Sequence, residues 1–358
     1  MAWQPGLTFN RSKNARHEAS SLRSNALREK RTMSGMAEGS LSRRMLLFGS
    51  ALAAGGFNGR AAADEQSGIV KTKYTYKTAG CSIGADVHRK PGKQTLPVIV
   101  WIHGGALIMG DRGGMNVTQL RRYVEAGFAV ASIDYRLAPE TRLPDILTDV
   151  EDAHRWVHEK GPGLFQIDPD RMAVIGHSAG GYLTLTTGYR CHPRPHALVS
   201  FYGYGDIAGD WYSRPDPYYS KQPAISKEDA WAQVGQTPIS RSSGGRDKFY
   251  LYTRQQGLWP RLVAGLDPDT ENKAFDPYCP IRNVTHDYPP ALLLHGDNDT
   301  DVPYDQSASM LRELKRNSVD CDLITIENGG HGFDRAMDSP QVASAFDRVI
   351  RFLQQHVG

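Results

Sequence analysis

Short, nearly continuous apolar runs recur along the chain at 96–102, 128–133, 171–175, 197–201, 291–294 and 322–326. Runs of this length predict strands buried on both faces. Between them the apolar positions repeat at helical spacing. Ile146, Leu147, Val150, Ala153, Trp156 and Val157 fall on one helical face, and further helices are predicted over 304–315 and 341–356. Two alternating segments, near 69–76 and 81–89, predict a leading antiparallel hairpin. Strand-helix alternation of this kind predicts an α/β domain with a mostly parallel sheet and helices on both faces. Residues 203–288 break the rhythm. They are too long for an ordinary connection and predict an insertion or lid. It is rich in Tyr and Trp, most of them expected to pack it onto the sheet and a few to line an acyl or alcohol pocket.

Candidate chemistry sits where the predicted strands end. Gly176-His177-Ser178-Ala179-Gly180 joins a strand to a helix, a setting that forces a tight turn and lifts a serine hydroxyl clear of the backbone. Gly176 and Gly180 remove side chains where strand and helix approach. Earlier, the 96–102 strand runs into His103-Gly104-Gly105-Ala106, small residues whose N–H groups can turn toward a developing oxyanion. Gly105 and Ala106 are the expected donors, with the N–H of Ala179. After the 291–294 strand, Asp297, Asp299, Asp301 and Asp305 crowd one loop. Spacing alone leaves the choice among these carboxylates open. Of the twelve histidines, His331 lies in a glycine-flanked loop beyond the last strand, in the order Ser, acid, His.

From about Val98 onward these features resemble α/β-hydrolases of the esterase/lipase type, including hormone-sensitive-lipase-like, feruloyl and acetyl-xylan esterases. The resemblance implies the α/β-hydrolase fold. It also implies that the pattern His295-Gly296-x-x-Asp299-x-x-Val302-Pro303 marks Asp299 as the triad acid beside Ser178 and His331. Ala106 departs from relatives that carry a third Gly at that point. The resulting expectation is a carboxylic-ester hydrolase forming an acyl-enzyme, without cofactor or metal, acting on small-molecule or carbohydrate-linked esters. A prolyl-peptidase-like amidase shares the triad order, and a non-catalytic binding protein shares the scaffold.

The N-terminus changes the charge picture. Ser42-Arg43-Arg44-Met45-Leu46-Leu47 opens a short apolar run that ends at Ala61-Ala62-Ala63, resembling a twin-arginine export signal. The run is too short and Gly-rich for a membrane span. Residues 1–63 are therefore expected to be an export segment and 64–358 the catalytic domain, periplasmic or secreted. The first 63 residues hold ten Lys/Arg and three Asp/Glu, so the remainder is acidic although the whole chain is +3. That balance argues against nucleic acid as a partner. Cys81, Cys191, Cys279 and Cys321 permit two disulfides in three connectivities, or none. Oligomeric state is left open.

Overall fold

The fold is seen in a computed structural model that describes residues 62–64 and 68–358. Apart from Ala62 and Ala63, the expected export segment lies outside the described residues. β1 (Ala62–Asp64) runs across the expected processing point between Ala63 and Asp64.

Among the described residues nine strands form one sheet in the order β1-β2-β3-β5-β4-β6-β7-β8-β9. β2 (Ile69–Thr78) and β3 (Ser82–Arg89) make the expected hairpin, and β3 joins the sheet antiparallel to β5 (Ala129–Ile133). From β5 onward the pairing is parallel, through β4 (Leu96–Ile102), β6 (Ile167–His177), β7 (Ala197–Phe201), β8 (Ala291–Gly296) and β9 (Cys321–Ile326). β4, β5, β7 and β8 are buried along their whole length, which is why they read as nearly continuous apolar runs.

Alternate residues of each strand face opposite layers. Val98, Val100 and Ile102 face the core beneath α2 (Leu143–Phe165) and α3 (Ala179–Arg190). Ile99 and Trp101 face the core beneath α1 (Val117–Glu125) and α9 (Pro340–Val357). The predicted face of α2 is the buried one, with Trp156 at its margin against Tyr74, Tyr76 and Phe165.

The insertion contains α4 (Asp210–Ser213), α5 (Lys227–Trp231), α6 (Asp247–Gln256) and α7 (Pro268–Glu271), with 3₁₀ and π turns between them. Most of its aromatic residues do pack inward. Tyr204, Tyr212, Trp259 and Tyr288 are buried, whereas Tyr218 and Trp231 remain exposed. Trp259 has a directed bond as well: its Nε1–H donates to the Ala106 carbonyl at 2.9 Å, tying the insertion to the loop after β4. α8 (Asp305–Arg316) then covers β8 and β9. All four cysteines are free.

The strand order reverses around β4, whose neighbours are β5 on one side and β6 on the other. This topological switch point opens a crevice at the carboxyl ends of β4 and β6. Ile102 pairs with Gly176, so the loop after β4 and the turn after β6 emerge side by side. α3 packs directly on both ends. A Cβ on Gly176 would lie 2.1 Å from the Gly180 carbonyl oxygen, and a Cβ on Gly180 would lie 2.1 Å from that of Ile102. No side chain fits in either place. Gly180→Ala is expected to destabilise the fold by about 3 kcal/mol, the upper range for overpacking a tight core. In urea unfolding this would lower the midpoint at an unchanged slope.

Candidate active site

Ser178 stands between β6 and α3 with φ 56° and ψ −120°, a backbone conformation costly for any residue with a Cβ. Its own N–H donates to the Phe201 carbonyl at 2.9 Å, and its carbonyl accepts from Tyr182, so the strained turn is held at both ends. The hydroxyl projects into a cleft of about 390 Å³ also lined by His331, Gly105, Ala106, Tyr250 and Asp301.

His331 Nε2 accepts from the Ser178 hydroxyl at 3.0 Å, and its Nδ1–H donates to Asp299 Oδ2 at 2.7 Å. The Asp299 side chain is fully buried and well supplied with donors. Its Oδ1 accepts the N–H groups of Asp301 (2.8 Å) and Val302 (3.0 Å), while His295 Nε2 lies 3.4 Å from Oδ2. His295 is itself buried, with Nε2–H directed to the Val302 carbonyl and Nδ1 paired with the Ser307 hydroxyl. Burial alone would raise the Asp299 pKa. The bonds from His295 and His331 outweigh it and hold the carboxyl far below its usual range. For His331, burial favours the neutral ring. The Asp299 bond and the charges of Asp301, Asp299 and Asp334 overcome that effect and raise the imidazole pKa above its ordinary value.

The other three carboxylates of the loop have different tasks. Asp297 accepts the Asn328 N–H. Asp305 opens α8 and accepts from Ser309 and Arg312. Asp301 faces the cleft and binds Arg254 of the insertion.

The loop after β4 brings Gly104, Gly105 and Ala106 to the cleft wall. Gly105 has φ 110° and Ala106 has φ 57°, so Ala106 takes the left-handed region despite its Cβ. A Cβ on Gly105 would lie 2.1 Å from the Met109 carbonyl oxygen, which turns back to close this loop. Among the described residues, the N–H groups of Gly105, Ala106 and Ala179 donate to no protein acceptor outside regular secondary structure. Ala179 opens α3, where the helix N-terminus adds a positive field. His103 does not reach Ser178. It stacks on Tyr135 at 4.2 Å and is paired through Nδ1 with the Gly104 carbonyl, so it shapes the loop from below.

Several cleft residues had no signal in the sequence. Tyr202 lies against the His331 ring at 4.5 Å and donates its hydroxyl to Asp334. Asp334 also accepts from Gln119 at 2.7 Å and lies 3.3 Å from His177 Nε2. His177 Nδ1 in turn accepts from Trp101 Nε1–H at 3.2 Å. This buried polar floor joins α1, β4, β6 and the His331 loop. Of the insertion aromatics, Tyr250 reaches the cleft; Trp259 is buried beneath the Ala106 loop and Trp211 stacks on Tyr212. Among the described residues, no group of three or more His, Cys, Asp or Glu is placed to hold a metal ion. Nor is any described helix long and apolar enough to cross a membrane.

Residues 99–335 match the sequence profile of a family described as the alpha/beta hydrolase fold. A non-reducing polyketide synthase of Penicillium roqueforti is 28% identical over 334 residues, covering 78% of this chain and 13% of that protein. The chain therefore spans a small fraction of the length of the curated relatives it matches. A solved alpha/beta hydrolase superfamily protein from Enterococcus faecalis superposes with a TM-score of 0.63 at 25% identity, over 80% of this chain and 98% of that one. A fungal esterase from Rhizomucor miehei superposes with a TM-score of 0.60 at 18% identity, over 81% and 84% of the two chains. With the profile covering most of the chain and the sheet order, elbow and crevice as described, this protein belongs to the α/β-hydrolase family.

Proposed function

We propose that the protein hydrolyses carboxylic esters through a Ser178–His331–Asp299 triad and a covalent acyl-enzyme. The observation that carries this reading is the unbroken hydrogen-bonded line from the Ser178 hydroxyl through both His331 nitrogens to Asp299, at 3.0 and 2.7 Å. Its start on a strained serine supports the same reading.

In the first half-reaction Ser178 Oγ forms a bond to the acyl carbon as its proton passes to His331 Nε2. The carbonyl π electrons move onto oxygen, where the N–H groups of Gly105, Ala106 and Ala179 stabilise the charge. Collapse of the tetrahedral species breaks the bond to the alcohol oxygen, which takes the proton from Nε2. Water then attacks the acyl-enzyme with the same proton path and frees the acid. Asp299 holds the tautomer with Nδ1 protonated and stabilises the imidazolium. The substrates we infer are small-molecule or carbohydrate-linked esters, in keeping with a cleft that mixes apolar and polar walls. The esterase from Rhizomucor miehei shares this fold.

Ser178→Ala should keep the fold and lower kcat on p-nitrophenyl acetate by about 10⁶-fold, as loss of a triad serine does elsewhere. Retention of more than about a hundredth of the wild-type rate would remove Ser178 as nucleophile. A proline p-nitroanilide measured alongside separates ester from amide cleavage. Since His331 must be neutral to accept the serine proton and its pKa lies above 6.5, kcat/KM should already have fallen by half on the acid side above pH 6.5. A pH–rate profile that stays flat well below that point, on folded protein, would rule out His331 as the base.

We further propose that residues 1–63 direct export in folded form. Fused to a reporter in a bacterial host, they should deliver it to the periplasm, and replacing Arg43 and Arg44 together by Lys should abolish delivery. Cytoplasmic retention of the unmodified fusion would overturn that.

A further inference from the structure

The proposed mechanism uses one carboxylate, Asp299, on the Nδ1 side of His331. A second stands on the other side. Asp301 Oδ2 lies 3.4 Å from Nε2, the same atom that meets the Ser178 hydroxyl. Two residues of one short loop thus present acids to the two nitrogens of one ring.

The placement of Asp301 is over-determined. Its Oδ1 accepts from Arg254 at 2.6 Å, from the Tyr219 hydroxyl at 3.0 Å and from the Tyr250 hydroxyl. Its N–H is taken by Asp299, and its carbonyl accepts a further bond from Arg254 at 3.0 Å. Arg254 is only 1% exposed and is shared with Asp216 at 2.6 Å. The rings of Trp211, Tyr212, Tyr219 and Tyr250 surround its guanidinium at 4.9 to 5.8 Å. Burial, and after it the charge of Asp301, holds the Tyr250 phenol protonated, so it stays a donor. With three donors on Oδ1, Oδ2 is the oxygen turned toward His331.

We propose that Asp301 is a positioning residue that keeps a second carboxylate against Nε2 of His331, stabilising the imidazolium formed when Ser178 loses its proton. This rests on the Ser178–His331 reading above. The transferred proton sits on Nε2 between the departing alcohol and Asp301, so opposite charge meets the ring at the nitrogen where it develops. Other charged or titratable groups face the ring from neighbouring elements. Asp299 takes Nδ1. Asp334 is turned to the cleft floor by Tyr202 and Gln119, with His177 beside it, and Arg335 lines the cleft from the His331 loop. Asp301 is the one whose oxygen approaches Nε2.

The test is NMR titration of the His331 imidazole in selectively labelled full-length protein, assigned with His331→Gln. In Asp301→Asn the midpoint should fall by about one pH unit, the lower range for removal of an opposite charge at this distance. Asp301→Glu, which restores the charge, should bring it back toward the wild-type value. If Asn disturbs the insertion, Asp301→Ser leaves an acceptor for Tyr219 and Tyr250 and should give the same downward shift. A midpoint that does not move in the folded charge-removing variant overturns the proposal. A purely structural role for Asp301 would leave the Asn and Glu variants alike. The titration needs no turnover, so its outcome is separate from that of Ser178→Ala.

Discussion

Everything at the site depends on how closely the carboxyl ends of β4 and β6 can approach. Their parallel register sets Ile102 beside Gly176, and α3 enters the same space through Gly180. Two residues without side chains therefore decide where the serine stands relative to the loop at 103–106. A displacement of one ångström there would separate the hydroxyl from the backbone donors. Catalytic geometry tolerates little of that. The strain stored at Ser178 is maintained because the sheet, the helix and the Phe201 carbonyl all fix the same turn.

Around this centre the charged groups are buried against opposite charges and donors. The Asp299 carboxylate is enclosed, yet it meets two backbone N–H groups and two imidazoles. Arg254 is just as enclosed, with a carboxylate at either end of its guanidinium and aromatic faces around it. Buried ions of this kind add little net stability, but losing one partner leaves an uncompensated charge that costs several kcal/mol. Such networks favour one arrangement over near alternatives. The cleft wall is consequently built from groups with few other positions available to them.

The scaffold was legible in the sequence because it obeys local rules. Buried parallel strands must be apolar along their length, and α2 must be apolar on one face, so both leave a periodic trace. The elbow was legible because Gly176 and Gly180 meet within one five-residue turn, although Gly180 must also clear the Ile102 carbonyl of β4. The acid loop is different. Spacing left Asp297, Asp299, Asp301 and Asp305 equivalent, and the family resemblance singled out Asp299. Their separate tasks appear only when residues more than thirty positions away, such as Asn328, His331 and Arg254, are brought against them. The same holds for Tyr202, Asp334 and Gln119, whose bonds span as many as 215 positions. Trp259 shows the limit from the other side. Aromatic character alone did not say which insertion residues would pack and which would line the pocket; Trp259 packs, and its indole N–H supports the Ala106 carbonyl from beneath.

The Arg254 bridge limits how this protein could diversify. One end holds Asp216, within the insertion; the other holds Asp301, on the loop that also carries Asp299. Insertions in such scaffolds are natural units for exchange between relatives, since they leave the sheet untouched. Here a transplanted insertion lacking an arginine at the place of Arg254 would strand Asp301 beside His331 without its cation. Recombination at this segment therefore carries an electrostatic condition: donor and recipient must match in the acid loop as well as in the length of the graft.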